Sequence, residues 1–172
     1  MSPVLTTPRL QLRELSAADA PFIFELVNDP SWLRYIGDKS VRDVEAAQRY
    51  IEGGPMRMYA ERGFGLWLVE RREDGSPLGI CGLVKREQLE DVDLGFAFLP
   101  RHWRRGYATE SARAVLGHAL GALGLTRIVA ITSTDNAASA RLLENLGFRL
   151  ETMLHWPPQE PVRLYVFAGA DP

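Results

Sequence analysis

The sequence predicts an α/β (α+β) domain, a mixed and strongly twisted central sheet flanked by helices. Three observations carry this expectation. Val92–Leu99 is an apolar run of strand length, Pro100–Ala108 a basic turn containing Gly106, Thr109–Leu123 a small-residue helical pattern, and Thr126–Ile131 a second apolar run. That order is a βαβ unit with parallel strands. Gly65–Glu70 and Leu78–Val84 read as strands joined across Asp74-Gly75, a hairpin signal, so the sheet begins antiparallel. Two helical patterns precede most of these strands.

In chain order, Leu10, Leu12 and Leu15 alternate with Arg9, Gln11 and Arg13 as a strand, and Ser16 offers a helix cap. Ala17–Asn28 places Phe22, Ile23, Leu26 and Val27 at helical spacing, and Asn28-Asp29-Pro30 ends the pattern. Ser31–Ile36 is an aromatic and basic loop, either a packed connector or a substrate contact. A second helix is expected from near Ser40, with Val41, Val44, Ala47 and Ile51 as its stripe, up to Gly53-Gly54-Pro55. The charged stretch Lys85–Asp91 suits another antiparallel turn. Ser133–Asn136 leads into a helix over Ala137–Leu146 that Gly147 stops. Phe148–Thr152 and Val162–Phe167 are the last strands, with Trp156-Pro157-Pro158 between them.

A chain of 172 residues can bury a sizeable core without staples, and nothing in it divides two domains, so one domain over 1–172 is expected. The formal net charge of −2 argues against a dedicated nucleic-acid binder. With no long apolar run, neither a signal peptide nor a membrane span is expected. Cys81, the single cysteine, excludes an internal disulfide and a multi-cysteine zinc site, and reads as a buried small residue. His102, His118 and His155 are too scattered to suggest a metal site. A cytoplasmic enzyme or binding domain, monomeric or homodimeric, is the expectation.

In a βαβ unit the turn after the first strand meets a helix N-terminus, where free backbone N–H groups and the positive dipole end favour an anion. Arg104 and Arg105 lie on that turn. A phosphate-bearing ligand held mainly by backbone amides follows. Neither a P-loop nor a dinucleotide glycine pattern is present, which disfavours a nucleotide-binding module.

Phe98-Leu99, then Trp103-Arg-Arg-Gly106-Tyr-Ala108-Thr-Glu110, then Asn136-Ala-Ala-Ser139 through Gly147-Phe148 resemble the GNAT superfamily of N-acetyltransferases. Within it the chain is most similar to the branch that acetylates ribosomal-protein N-termini. The resemblance implies an acyl-CoA N-acyltransferase fold, acetyl-CoA as donor, and an amine acceptor that is a small molecule or a protein N-terminus. It puts the pyrophosphate on the amides of Arg104, Arg105, Gly106, Tyr107, Ala108 and Thr109, the pantetheine arm beside the strand from Phe96 through Phe98 to Leu99, and Asn136 on the pantetheine amides. Two positions depart from the superfamily pattern: Trp103 replaces Arg or Gln, and Arg104 stands where Gly is frequent.

An amine must be neutral to attack a thioester, and the departing thiolate gains from a nearby donor. Ser139 is the donor candidate; the alternative is a first-turn serine bonded to backbone. Leu143 occupies the place where many relatives carry a tyrosine acid and cannot donate. Asn136 suits the cofactor, a helix cap, or both. Asp93, on one strand face with Gly95 and Ala97, is the base candidate, against a solvated strand-end acid or water relayed to Asp93, Glu87, Glu90 or Asp91. The N–H of Phe96 is the expected oxyanion donor. His155 and Trp156 are placed in the acceptor pocket by loop position alone. No activated nucleophile is present, so direct attack is expected, with a catalytically silent CoA-binding sensor as the alternative.

Overall fold

The computed structural model describes residues 2–158 and 160–168. The chain opens with β1 (Leu5–Thr6) and β2 (Leu10–Arg13). Leu10 and Leu12 are fully buried while Gln11 and Arg13 are not, the alternation of a strand with one face on a core. The Asp19 carboxylate then accepts from the Ser16 N–H at 2.8 Å and starts a single 3-10 turn that runs into α1 (Ala20–Val27).

Two helices fall where none was expected. Ser31–Ile36 is not a loop: α2 (Pro30–Tyr35) covers most of it, capped by Asp29, whose side chain accepts from the Ser31 N–H at 2.9 Å. α3 (Val44–Gly53) starts later than Ser40, because Asp43 is the cap. Val41 is buried ahead of it, Val44 is exposed, and the inward stripe is Ala47 and Ile51. α4 (Pro55–Arg62) follows at once. Asp29-Pro30 and Gly54-Pro55 each read as a stop, yet proline at the first helical position gives up only an N–H that would lack a partner there.

β3 (Leu66–Arg71), β4 (Pro77–Val84), β5 (Val92–Phe98), β6 (Arg127–Ser133), β7 (Arg149–Leu154) and β8 (Val162–Ala168) complete one eight-stranded sheet, ordered β1-β2-β3-β4-β5-β6-β8-β7. β5 and β6 pair parallel and the other neighbours antiparallel, so the sheet is mixed as expected. α5 (Tyr107–Leu120) and α6 (Ala137–Asn145) flank β6 in sequence. Helices cover both faces. Ala112, Val115 and Ala119 of α5 share a core with Trp67, Cys81 and Leu94, whereas Ile23, Leu26 and Ile51 of α1 and α3 pack with Leu68 and Ile80.

The parallel pair is short. β5 and β6 are in register only at Val92↔Ile128 and Asp93↔Val129, and beyond these the strands part. The Leu99 N–H donates to Leu78 O at 3.2 Å. Antiparallel pairing alternates, so Ala97, Gly95 and Asp93 turn their polar groups to β4, while those of Phe98, Phe96 and Leu94 turn toward β6. The ladder with β6 ends at Asp93↔Val129, so the N–H groups of Phe96 and Phe98 meet no strand there.

Candidate active site

The parted strands open into a cleft of about 1060 Å³ that takes in the start of α5, α6 and the inner ends of α2 and α3. At one end lies the turn before α5. Arg104 and Gly106 both have left-handed backbone, φ 63° and 81°. Arg104 thus takes, as a non-glycine, a conformation that glycine adopts freely. Gly106 has no side chain with which to cap α5, and the ladder begins with Glu110 N–H on Gly106 O at 3.0 Å. The N–H groups of Tyr107, Ala108 and Thr109 come before that bond, at the positive end of the dipole, and their residues line the cleft. The glycine is required by its left-handed backbone; a Cβ there would also come within 3.2 Å of Arg9 Nη2, the end of a flexible side chain that can shift.

Arg9 and Glu110 hold this turn to the first hairpin. Glu110 accepts from Arg9 Nε at 2.8 Å, from the Arg9 N–H at 3.0 Å and from the Thr7 hydroxyl at 2.5 Å, while Arg9 Nη1 donates to Arg105 O at 2.9 Å. The Arg9 guanidinium also lies over the Tyr107 ring, 4.6 Å from its centroid. Trp103 donates its indole N–H to Phe98 O at 2.8 Å, tying the turn to the end of β5. Sequence reasoning missed Arg9 and Glu110. Their only signal was Glu110 in the first helical turn, where an acid is ordinary.

Ser139 and Asn136 stand at the start of α6, across the cleft from β5. Asn136 Oδ1 accepts from the Ser139 N–H at 3.2 Å, so Asn136 caps the helix while its amide Nδ2 stays available. Ser139 lines the cleft, and among the described residues its hydroxyl has no hydrogen-bond partner. Ser111, by contrast, is bonded back to Tyr107 O and Ala108 O at 2.9 and 3.1 Å. Leu143 is buried.

Asp93 is 1% exposed, not a solvated strand-end acid. Its Oδ2 accepts from Arg86 Nε at 2.7 Å. Burial pushes its pKa up, and the Arg86 charge and hydrogen bond pull against that shift. Of the other acids proposed as water relays, Glu87 lines the cleft, whereas Asp91 is bound to Arg127 Nε at 2.9 Å and lies with Glu90 outside it. Thr132, on β6, lines the cleft, and its hydroxyl is buried with no partner among the described residues.

Three expected site residues are not brought to the cleft. Leu99 is buried in the core with α1 and α3, and its N–H goes to Leu78. Arg105 does not line the cleft, and its carbonyl accepts from Arg9 Nη1. His155 is exposed and paired with Glu160, while its neighbour Trp156 does line the cleft. Cys81 is fully buried, with its thiol pushed up to about 12 by burial, which suits a packing role.

Residues 9–149 match the family model of the acetyltransferase (GNAT) domain. The chain belongs to the GNAT acetyltransferase family. It is 35% identical over 155 residues to the uncharacterized N-acetyltransferase YoaA of Bacillus subtilis (strain 168), covering 90% of this chain and 87% of that one. Its fold superposes on a crystal structure of an acetyltransferase from Agrobacterium tumefaciens str. C58 with a TM-score of 0.82 at 26% identity, over 97% and 95% of the two chains. RimL, a ribosomal-protein alpha-N-acetyltransferase solved in complex with coenzyme A, shares the fold at TM-score 0.82 and 18% identity, over 97% and 98%. Among the described residues of this GNAT chain, no helix is long and apolar enough to cross a membrane.

Proposed function

We propose that this GNAT acetyltransferase moves an acetyl group from acetyl-CoA to a primary amine, a small molecule or a protein N-terminus, by direct attack within the cleft. The observation that carries the reading is the parting of β5 from β6, which leaves the Phe96 N–H facing the cleft without a strand partner. The residues present fit the cosubstrate. Free N–H groups at the α5 N-terminus suit a pyrophosphate, and the unpartnered Thr132 hydroxyl and Asn136 Nδ2 suit amide groups between the strands. Family membership and the fold shared with a coenzyme A complex support the same assignment.

When bound, acetyl-CoA supplies a carbonyl carbon open to attack and a sulfur that can leave. The Phe96 N–H stabilises the charge that develops on the carbonyl oxygen. Asp93 takes the proton of the attacking nitrogen, directly or through one water, as the C–N bond forms. Ser139 donates to the sulfur as the C–S bond breaks, and solvent restores its proton. The buried carboxyl suits a base because a raised pKa strengthens its hold on the proton.

Incubation with acetyl-CoA and a panel of peptides, amino acids, polyamines and aminoglycosides tests the proposal, with thiol release and acetylated amine both measured. An acetylated amine matched by free CoA supports it. Tight acetyl-CoA binding with no acetylated amine across the panel would establish the silent sensor instead.

A further inference from the structure

The end of the cleft away from α5 is rich in hydrogen-bond donors and poor in acceptors. Trp32 lines the cleft at 5% exposure, and its indole N–H is buried in the wall with no acceptor among the described residues. Tyr50 also lines this end, and burial pushes its pKa up, so its hydroxyl stays a donor at neutral pH. Lys39 stands exposed at the rim without a hydrogen-bond or acidic partner among the described residues, near enough to Arg86 for that charge to add to the lowering of its pKa by the surrounding walls. Arg86 gives Nε to Asp93, and its other guanidinium nitrogens have no acceptor among the described residues. Lys85 turns its ammonium to Arg86 O and Leu89 O, so its charge is not neutralised by an acid either. The carboxylates lining the cleft are Asp93, held by Arg86, Glu61, paired with Arg57, Asp135, paired with Arg34, and Glu87 at the exposed mouth, so three of the four already have a guanidinium partner.

One buried carboxylate, Asp93, faces the charges of Arg86 and Lys85 together, and Lys39 adds a third, so this end carries a surplus of positive charge and spare donors that a ligand anion would satisfy. We infer that the acceptor is a small amine carrying a carboxylate, with the carboxylate held by Lys39 and Arg86 and met by the Tyr50 O–H against the Trp32 wall. The inference rests on the acetyl-transfer reading above and narrows it. A polyamine would bring positive charge against Lys39, Lys85 and Arg86. A protein N-terminus would put a neutral peptide amide where the carboxylate belongs, leaving the same donors short of charge.

Calorimetry with pairs of N-acetylated α-, β- and γ-amino acids and their carboxamides, with and without saturating CoA, reads the preference independently of turnover. In at least one pair the carboxylate should bind about tenfold tighter or more, and Lys39→Met should reduce that margin to about threefold or less while acetyl-CoA affinity is unchanged. Lys39 is exposed, so the variant should fold as the parent does. Carboxamides binding as well as carboxylates in every pair, a margin untouched by Lys39→Met, or spermidine acetylated faster than every carboxylate-bearing amine would overturn the inference. Failure to bind acetyl-CoA or to acetylate any amine breaks the acetyl-transfer reading instead, and the calorimetric margin still decides the acceptor class.

Discussion

The two ends of the cleft are built from different material. The α5 end offers main-chain groups: the N–H of Phe96, released where β5 leaves β6, and those of Tyr107, Ala108 and Thr109 ahead of the first helical bond. The opposite end offers side chains, Trp32, Lys39, Tyr50 and Arg86, carried on separate segments. A main-chain end depends on backbone angles and tolerates changes of side chain that keep them. A side-chain end can be rebuilt one substitution at a time, so the fold can keep its donor chemistry while the acceptor changes.

The largest effect is expected at the junction of the two ends. Asp93→Asn should lower turnover at saturating acceptor by about a hundredfold or more, with acetyl-CoA affinity nearly unchanged. A base works only when ionised, and burial raises Asp93, so the acid limb of the wild-type rate profile should lie above the ordinary aspartate range. Arg86→Gln removes the charge that opposes that shift and should move the limb higher still. A normal rate and an unchanged profile for Asp93→Asn would remove Asp93 from the mechanism.

Gly106→Val tests the main-chain end. Holding a non-glycine residue in the left-handed region costs about 1–2 kcal/mol, so the free turn should relax away from the geometry that presents its N–H groups, and acetyl-CoA affinity by calorimetry should fall about tenfold. Thr109→Ala keeps the N–H and should change affinity by no more than about twofold. The reverse ranking would show that side chains, not the main chain, hold the cofactor.

Ser139→Ala should reduce turnover about tenfold and leave the thermal midpoint of unfolding in place, since the hydroxyl has no partner among the described residues. A lowered midpoint with unchanged turnover per folded molecule would make Ser139 structural. The smallest effect is expected at Arg104→Gly. Relief of the φ 63° backbone, less the greater flexibility of unfolded glycine, should stabilise the protein by about 1 kcal/mol or less, read from urea midpoints.

Legibility in the sequence follows the same division. The βαβ unit, the Asp74-Gly75 hairpin and the mixed sheet come from contiguous patterns, and so does the turn over Gly106 and Ala108. α2 and α4 stayed hidden because Pro30 and Pro55 mark a stop and a start with the same residue. Leu99 and Arg105 were drawn into the site because a contiguous motif includes every residue along its run. Strand alternation and the Arg9 contact turn those two away. Arg9 and Glu110 are 101 positions apart, and Trp32, Lys39, Tyr50 and Arg86, which line the other end of the cleft, belong to segments whose meeting depends on packing on the sheet. No local pattern marks such a meeting.

Amide hydrogen exchange resolved by residue, with and without saturating acetyl-CoA, tests the claim that main-chain groups grip the donor. Exchange at Phe96, Tyr107, Ala108 and Thr109 should slow on binding, while Gly95 and Ala97, already directed to β4, should change little. Unaltered exchange at all four amides under saturation would contradict the account.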